Sequence, residues 1–380
     1  MQFDSNDTQY LQDILARLLA TPSPSGMTDA VVRLVCEELD NLGVKYELTR
    51  RGAIRATLPG KEKLPARAVI AHLDTLGALV KGIRPNGRLE VVPIGFWSSR
   101  FAEGARVVIH SDHGVAHHGT ILPLKASGHT YNKEIDTQPC EWTQLEVRLD
   151  ARTANAAETR TLGINVGDTI NIDPGTVFAP NGFINSRHLD DKAGVAAILT
   201  MIRAVMQKRI TPEVDCFALF TISEEVGVGA SHVLHGDVAE MVSVDNGTIA
   251  PGQYTCEYGV TIAMQDSSGP FDWHLTRHLL AICAEQKIEH SRDVFRFYRS
   301  DAAAALEAGN DLRTALICFA LDASHGYERT HIDSLLALSQ LLAHYVESPP
   351  LFKRDRAAIG PLADFPPADA QLGQGTEDVL

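Results

Sequence analysis

The sequence lacks any arrangement of cysteines that would form a disulfide framework. Its six cysteines are scattered along 380 residues, and no CxxC pair occurs among them. Thiols of this kind are typical of proteins in a reducing compartment, so they predict a cytoplasmic protein. Cys216, Cys283 and Cys318 lie in apolar segments, and we expect them in the hydrophobic core.

Long apolar runs and excess positive charge are also missing. No apolar run approaches the roughly 20 residues of a membrane span, and the start MQFDSNDTQYLQDIL lacks the basic region and apolar core of a signal peptide. The 48 Asp and Glu residues outnumber the 34 Lys and Arg residues, which gives a formal net charge of -14. Because an acidic surface repels phosphate groups, we expect no nucleic-acid partner and no membrane partner.

What the sequence does contain is an α/β pattern that is interrupted once. Apolar strands alternate with amphipathic helices over residues 1–76 and 186–350, whereas residues 77–185 contain short β-like runs separated by turns. This pattern predicts an α/β fold with a mainly parallel sheet covered on both faces, like that of zinc peptidases, and a small all-β domain inserted into it. Residues 351–380 are rich in Pro, Ala, Asp and Gly and predict a loose tail.

Five short motifs rich in His, Asp or Glu follow apolar strands or open helices in the α/β part. They are AHLDTLG (His72, Asp74), RHLDDKAG (Asp190, Asp191), TISEEVG (Glu224, Glu225), VSVDNG (Asp245) and DASHGYERTH (His325, His331). Ligands of open α/β sheets bind outside the carboxyl ends of the strands, so we expect these side chains to converge there. Imidazole and carboxylate groups in one place indicate a metal site.

Hydrolysis at a two-metal site explains why these residue types occur together. Such a site needs imidazole and carboxylate ligands, a carboxylate that bridges the ions, and a free carboxylate as general base. Ions about 3.5–4 Å apart lower the pKa of a bridging water from about 15.7 towards about 7. One Asp can span that gap, and a Glu-Glu pair can provide one ligand and one base.

The motifs resemble those of the tetrahedral aminopeptidases, the deblocking and glutamyl aminopeptidase family of cocatalytic metallopeptidases. The resemblance extends from TPSPSG to about His344 and includes the β insertion. It implies two divalent ions per subunit, zinc or cobalt, together with peptide substrates and a homo-oligomer built through the β domain. It also implies these roles: His72 and Asp245 bind one ion, Glu225 and His325 bind the other, Asp190 bridges them, Glu224 is the general base, and Asp74 orients His72.

The last motif departs from the family pattern. The family has Arg-Tyr-x-His-Ser where this chain has DASHGYERTH, so His325 is the preferred ligand and His331 remains the alternative. This form and the acidic tail are similar to a bacterial branch linked to a glutamine-dipeptide osmoprotectant system. The segment YRSDAAAALEAG, with Ser300 and Asp301, resembles the Thr-Asp-Ala loop that the family has near its active site.

Other polar residues have simpler interpretations. We expect Asp191 to cap a helix. The cluster HSDHGVAHHG is interpreted as loop surface of the insertion; its histidines are His110, His113, His117 and His118. The family has a histidine near His129 that approaches an active site, so a role for His129 stays open.

The sequence thus predicts an aminopeptidase that removes N-terminal residues with metal-activated water and Glu224 as base. The alternative is a related two-metal deacylase or carboxypeptidase acting on N-acylated amino acids or dipeptides, since HGYE loosely resembles its His-Gly-x-x-Glu motif. The insertion between His72 and Asp190 favours the aminopeptidase. A non-catalytic protein on a peptidase fold is a third hypothesis, and the presence of every expected ligand disfavours it.

Overall fold

A computed structural model describes residues 3–112, 114–362 and 365–367. The chain begins with α1 (Ser5–Ala20), α2 (Asp29–Leu42), β1 (Lys45–Leu48), β2 (Ile54–Leu58) and β3 (Glu62–His72). Helix α1 forms because its apolar residues recur on one face and because Asp4 caps its first turn, where the carboxylate accepts the N–H groups of Asn6 and Asp7. Helix α2 ends at Gly43, whose left-handed φ of 73° stops it. Both helices and all three strands were predicted.

The inserted segment is a closed antiparallel barrel. Its elements are β4 (Gly77–Ile83), β5 (Leu89–Ile94), α3 (Ser99–Ala102), β6 (Arg106–His110), β7 (Ala116–Pro123), α4 (Gly128–Tyr131), α5 (Glu134–Thr137), β8 (Leu145–Leu149), α6 (Ala156–Thr161) and β9 (Thr169–Ile172). The strands close in the order β4-β5-β8-β7-β6-β9 around an apolar core of their own. Helices α3, α4 and α5 were not predicted, because single turns are too short to show helical periodicity.

After the barrel, the chain returns to the α/β pattern. The remaining elements are β10 (Val177–Phe178), β11 (Phe183–Ser186), α7 (Leu189–Gln207), β12 (Val214–Thr221), β13 (Val238–Thr248), β14 (Val260–Asp266), β15 (Gly269–Pro270), α8 (Trp273–Gln286), β16 (His290–Val294), α9 (Asp301–Glu307), β17 (Arg313–Leu321), β18 (Glu328–His331) and α10 (Ile332–Glu347). Short 3₁₀ turns lie at Trp142–Gln144, Gly229–His232 and Lys353–Arg356.

The main sheet is mixed: the predicted parallel pairing holds for its central strands, and antiparallel pairs flank them. Its order is β1-β2-β12-β3-β13-β17-β14-β15, with β16 paired to β14. The central strands β12, β3, β13 and β17 are parallel, whereas β2 pairs antiparallel with β1 and β12, and β14 pairs antiparallel with β17. A short turn joins β1 to β2, and such a connection allows only antiparallel pairing.

Both faces of the central strands are covered, as predicted. Eight consecutive residues of β17, from Thr314 to Leu321, are buried, and so is most of β13. Since successive side chains point to opposite faces, continuous burial requires a layer on each side. Helix α7 contacts β3 and β13 and packs against α1 and α10. Cys216, Cys283 and Cys318 are buried in this core, as expected.

A second, small sheet lies outside the barrel and the main sheet. It contains β10, β11 and β18, all antiparallel. In its register Ser186 of β11 pairs with Glu328 of β18. The chain that leaves β11 enters α7, and the chain that enters β18 comes from β17. This sheet therefore brings the start of α7 beside the loop between β17 and β18.

The described part of the predicted tail contacts the α/β part of the chain. The N–H of Leu351 donates to Glu240 Oε1 over 2.8 Å, and Arg313 Nε donates to Asp355 Oδ2 over 2.7 Å. Residues 363–364 and 368–380 lie outside the described residues, and the predicted boundaries of the domains stay predictions. Among the described helices, none combines the length and the hydropathy that a membrane crossing requires.

Candidate functional site

Three predicted ligands meet at the carboxyl end of the sheet. Ligand atoms of His72, Asp190 and Asp245 lie within 4.8 Å of one another, and all three residues are buried. His72 is the last residue of β3, and Asp190 opens α7. Asp245 lies on the neighbouring strand β13, which continues to Thr248. Across residues 3–112, 114–362 and 365–367, this is the one such group of His, Cys, Asp or Glu.

The Asp190 carboxylate has one oxygen on each side of the site. Its Oδ1 lies 3.2 Å from Nε2 of His72, and its Oδ2 lies 3.4 Å from Nε2 of His325. The amide of Asn246 also donates to Oδ2 over 2.8 Å. A carboxylate with this orientation can bind two cations, one through each oxygen.

The second group of predicted ligands lies on the Oδ2 side of Asp190. His325 Nε2 is 3.7 Å from Glu225 Oε2. Nδ1 of His325 lies 2.8 Å from the main-chain oxygen of Phe96, in the loop after β5 of the barrel. Hydrogen bonding at Nδ1 leaves Nε2 available to a metal. The barrel therefore contributes directly to the position of this histidine.

His331, the alternative last ligand, lies elsewhere. Its Nε2 is 3.0 Å from the main-chain oxygen of Asn181, and its Nδ1 accepts the N–H of Asp333 at the start of α10. Its ring packs edge-on against Phe183. Both ring nitrogens are thus engaged away from Asp190, so the structure brings His325 and not His331 to the cluster.

Asp74 makes different contacts from those that the resemblance implied. Nδ1 of His72 lies 2.9 Å from the main-chain oxygen of Asp74 and 3.7 Å from its nearer carboxylate oxygen. The carboxylate instead accepts the N–H groups of Glu224 and Glu225, at 3.0 and 3.3 Å, and the hydroxyl of Ser25 at 2.5 Å. Asp74 therefore holds the Glu-Glu loop with its side chain and His72 with its main chain.

Asp191 does not cap α7 through its side chain. Regular helical backbone begins only after Asp191, whose own φ of -115° and ψ of 26° are non-helical, and Oδ2 of Asp191 accepts the N–H of His72 over 3.1 Å. Asp191 thus joins the start of α7 to the end of β3.

Buried charge dominates the electrostatics of the site. Burial raises the pKa of Glu225 to about 8 and that of Asp245 well above its usual range. Burial alone would lower the pKa of His325, but Asp190 and Glu225 raise it to about 10. Burial would likewise raise the pKa of Asp190, but the hydrogen bonds with His325 and His72 lower it. Carboxylates and imidazoles buried so close together fit divalent cations, which would neutralise the same carboxylates.

A cavity of about 660 Å³ opens onto this cluster. Asp190, Glu224, Glu225, Asp245 and His325 line its inner end. The rim includes two exposed aromatic side chains, those of Phe96 and Phe297, which are 84% and 97% exposed. Its size lies within the range of small-molecule and short-peptide sites.

The other polar residues singled out in the sequence lie outside the group of predicted ligands. Oδ2 of the buried Asp301 accepts the hydroxyl of Thr221 over 2.7 Å. His129 is exposed in α4 and does not line the cavity, so a role for it stays a prediction. His110, His117 and His118 lie on strands β6 and β7 of the barrel rather than in a loop, and His113 falls outside the described residues.

Glu328 is a site residue that the sequence analysis missed. Its carboxylate accepts the N–H groups of both Asp190 and His325, at 3.2 and 2.9 Å. In the sequence, the HGYE segment only loosely resembles a deacylase motif. The one signal for Glu328 is its spacing, because it is a carboxylate three residues after the candidate ligand His325.

Replacing Gly95 by Ala should disturb the site. A Cβ there would lie 2.6 Å from Leu76 Cδ2 and 3.2 Å from the main-chain oxygen of Glu225. Gly104→Ala is the matched control, because its φ of 79° is close to the 81° of Gly95, but nothing lies within 4 Å. We expect both variants to lose about 1 kcal/mol for the left-handed backbone, and Gly95→Ala to lose about 1–3 kcal/mol more and most of its activity. Urea unfolding measures the loss of stability, and kcat measures the loss of activity. Equal losses in the Gly95 and Gly104 variants would contradict the crowding argument.

Comparisons with known proteins agree with this geometry. The sequence matches the M42 glutamyl aminopeptidase family over residues 52–341. It is 37% identical over 337 residues to YhfE of Bacillus subtilis (strain 168), covering 89% of this chain and 97% of that protein. It is 27% identical over 227 residues to the glutamyl aminopeptidase of Lactococcus lactis subsp. cremoris (strain MG1363), covering 59% and 62% of the two chains.

Solved structures share the fold. Aminopeptidase APDkam598 from the archaeon Desulfurococcus kamchatkensis superposes with a TM-score of 0.81 at 22% identity, over 90% of this chain and 96% of that one. The TET1 peptidase of Pyrococcus horikoshii gives 0.77 at 21% identity, over 88% and 99%. These matches do not favour the deacylase or carboxypeptidase alternative. Because the family match covers most of the sequence, the chain belongs to the M42 glutamyl aminopeptidase family and is an aminopeptidase, a hydrolase of peptide bonds.

Proposed function

We propose that this chain removes N-terminal residues from peptides at a two-metal site in which Glu224 is the general base. One observation carries the proposal: the two carboxylate oxygens of Asp190 face two different histidines, His72 and His325, at 3.2 and 3.4 Å. A carboxylate that binds a single ion would not need a histidine ligand beside each of its two oxygens.

The donor set suggests how two ions would be held. His72, Asp245 and Oδ1 of Asp190 would bind one, while Glu225, His325 and Oδ2 of Asp190 would bind the other. Each group combines one imidazole nitrogen with carboxylate oxygens, a set that suits zinc or cobalt. The choice between these metals is left to measurement.

Glu224 is suited to move the proton. It lines the cavity beside the ligands, and its Oε2 lies 3.8 Å from His72 Nε2. When bound, the ions would polarise the scissile carbonyl and lower the pKa of a water. The Glu224 carboxylate takes the proton of the attacking water and returns it to the leaving amine. Asp74 holds the main chain of Glu224 during both transfers.

The acidic inner end of the cavity favours a substrate with a free amine. Four carboxylates line it, those of Asp190, Glu224, Glu225 and Asp245. Three of them are the proposed ligands, so bound ions would offset their charge, and the free amine of a substrate would contact an ion or a carboxylate left free of metal. An N-acyl group lacks this amine, so the contact would restrict cleavage to the first peptide bond.

A homo-oligomer is part of the proposal. The TET1 peptidase of Pyrococcus horikoshii can assemble into a tetrahedron or a large octahedral shell. By analogy, we propose that this chain forms a closed assembly through its barrel. A cytoplasmic location and the link to a glutamine-dipeptide system remain predictions from the sequence.

The test is hydrolysis of a panel of aminoacyl-p-nitroanilides by the full chain. The protein is stripped with a chelator and then given zinc, cobalt or manganese. We expect activity to disappear on chelation and to return with metal, and the panel then gives the preferred N-terminal residue. Turnover of N-acylated substrates alone would refute the aminopeptidase proposal and support a deacylase.

A further inference from the structure

We propose that Glu328 is a positioning residue that fixes two predicted metal ligands, Asp190 and His325, relative to each other. The inference rests on the proposed function, because Asp190 and His325 matter here as metal ligands. Glu328 is only 2% exposed. Its Oε2 accepts the N–H of Asp190 over 3.2 Å, and its Oε1 accepts the N–H of His325 over 2.9 Å. One buried side chain thus ties two ligands together.

These two ligands come from distant parts of the sequence. Asp190 and Glu328 are separated by 138 positions. The small sheet brings their segments together, since Ser186 at the end of β11 pairs with Glu328 at the start of β18. The main-chain pairing fixes how β11 and β18 align. The Glu328 carboxylate then holds the main chain at Asp190, which follows β11, and at His325, which precedes β18.

The loop at His325 needs this support. His325 has a φ of 66°, a left-handed conformation that is unfavourable for a residue with a side chain. Two hydrogen bonds hold the residue: its N–H donates to Glu328, and its Nδ1 lies 2.8 Å from the Phe96 oxygen. Together they direct Nε2 towards Asp190 and Glu225. Without Glu328, the main chain of His325 would lose this support, and the ring would be held only through Nδ1 by the barrel and through Nε2 by Asp190.

A purely structural role would predict a different set of contacts. Buried carboxylates are commonly paired with Arg or Lys. Within the part of the chain that the structure describes, no Arg or Lys forms a salt bridge with Glu328, although Arg187 and Glu328 line one small cavity and the charge of Arg187 interacts with that of the carboxylate. Both of its oxygens are instead used by the N–H groups of two predicted ligands. Glu328 therefore acts on the geometry of the site.

Glu328→Gln separates these roles, because the amide keeps the shape but replaces one acceptor by a donor. That donor would face the N–H of Asp190 or of His325. We expect cobalt(II), added to the stripped full-length protein, to bind about 10–100-fold more weakly and with an altered visible absorption spectrum. With saturating cobalt, kcat should fall more than KM rises, since the ligands remain present but misplaced.

Glu257→Gln is the matched control. Glu257 is also a carboxylate near β18, but it pairs with Arg329 at 3.0 Å and is 35% exposed. We expect it to bind cobalt like the wild type. If Glu328→Gln does not fold, Glu328→Asp keeps both acceptors with a shorter reach, and it should fold with a smaller loss of affinity.

The outcomes are distinguishable. A folded Glu328→Gln protein with wild-type cobalt affinity, spectrum and kcat would overturn the role of Glu328 alone. Failure of both Glu328 variants to fold would assign Glu328 to the fold rather than the ligands, and would also overturn the inference. Failure of the wild type to bind cobalt at all would remove the proposed function, and this inference with it.

Discussion

Replacing Glu224 by Gln is expected to lower kcat by about 10²–10⁴-fold while metal binding is preserved. The amide cannot accept a proton from water, but it has the size and shape of the carboxylate. The main chain should not move, because its N–H donates to Asp74 regardless of the side chain. The side chain is 14% exposed at the cavity, and glutamine fills the same volume as glutamate, so the change leaves no buried void.

Glu225→Gln is the informative partner for this variant. The two glutamates are adjacent, yet Glu225 lies 3.7 Å from His325 and is a predicted ligand. We expect Glu225→Gln to bind metal more weakly and to regain part of its activity at high metal concentration. Glu224→Gln should bind two ions and should regain no activity at high metal concentration. Wild-type turnover by Glu224→Gln, measured with the best p-nitroanilide, would rule out its role as base.

The Asp190→Asn variant is expected to bind at most one ion and to lose activity by about 10³-fold or more. The amide offers one oxygen and one N–H₂ group, so it cannot face both histidines with an acceptor. An ion that polarises the reacting carbonyl contributes several kcal/mol to the stability of the transition state, and losing it reduces the rate accordingly.

Metal content after dialysis and kcat test the Asp190 prediction. Asp168→Asn is a suitable control, since Asp168 is a buried carboxylate of the barrel that accepts the N–H of Asn165 over 2.8 Å. We expect this control to retain two ions. Two ions bound by Asp190→Asn with unchanged affinity would contradict a bridging role.

The sequence predicted the group of ligands because strand ends determine where side chains meet. His72, Asp245 and His325 lie at or after parallel strands, and parallel strands end at one edge of the sheet. The spacing of His72 and Asp74 also showed that they are close. It could not show whether the main-chain oxygen or the carboxylate would contact the imidazole, because that depends on a rotamer and on Ser25, far away in the sequence.

Other features depended on pairings that no local pattern contains. The role of Glu328 follows from the pairing of β11 with β18, two short strands that are remote in sequence. The antiparallel edges of the main sheet likewise follow from a turn between β1 and β2 and from the position of β14 beside β17. Periodicity predicts that a strand exists, but its neighbours are chosen by tertiary packing.

The contact between Phe96 and His325 limits how this protein can be shortened or recombined. A variant from which the barrel had been deleted would lose the carbonyl that receives the Nδ1 hydrogen bond, and the imidazole would be free to rotate. A chimera with a barrel from a relative would need a loop after β5 that presents a main-chain oxygen at the position of Phe96; here the Trp97 indole helps to hold that loop by donating to the main-chain oxygen of Gly77. The barrel therefore cannot be exchanged freely, because the main-chain oxygen of its Phe96 contacts the predicted ligand His325.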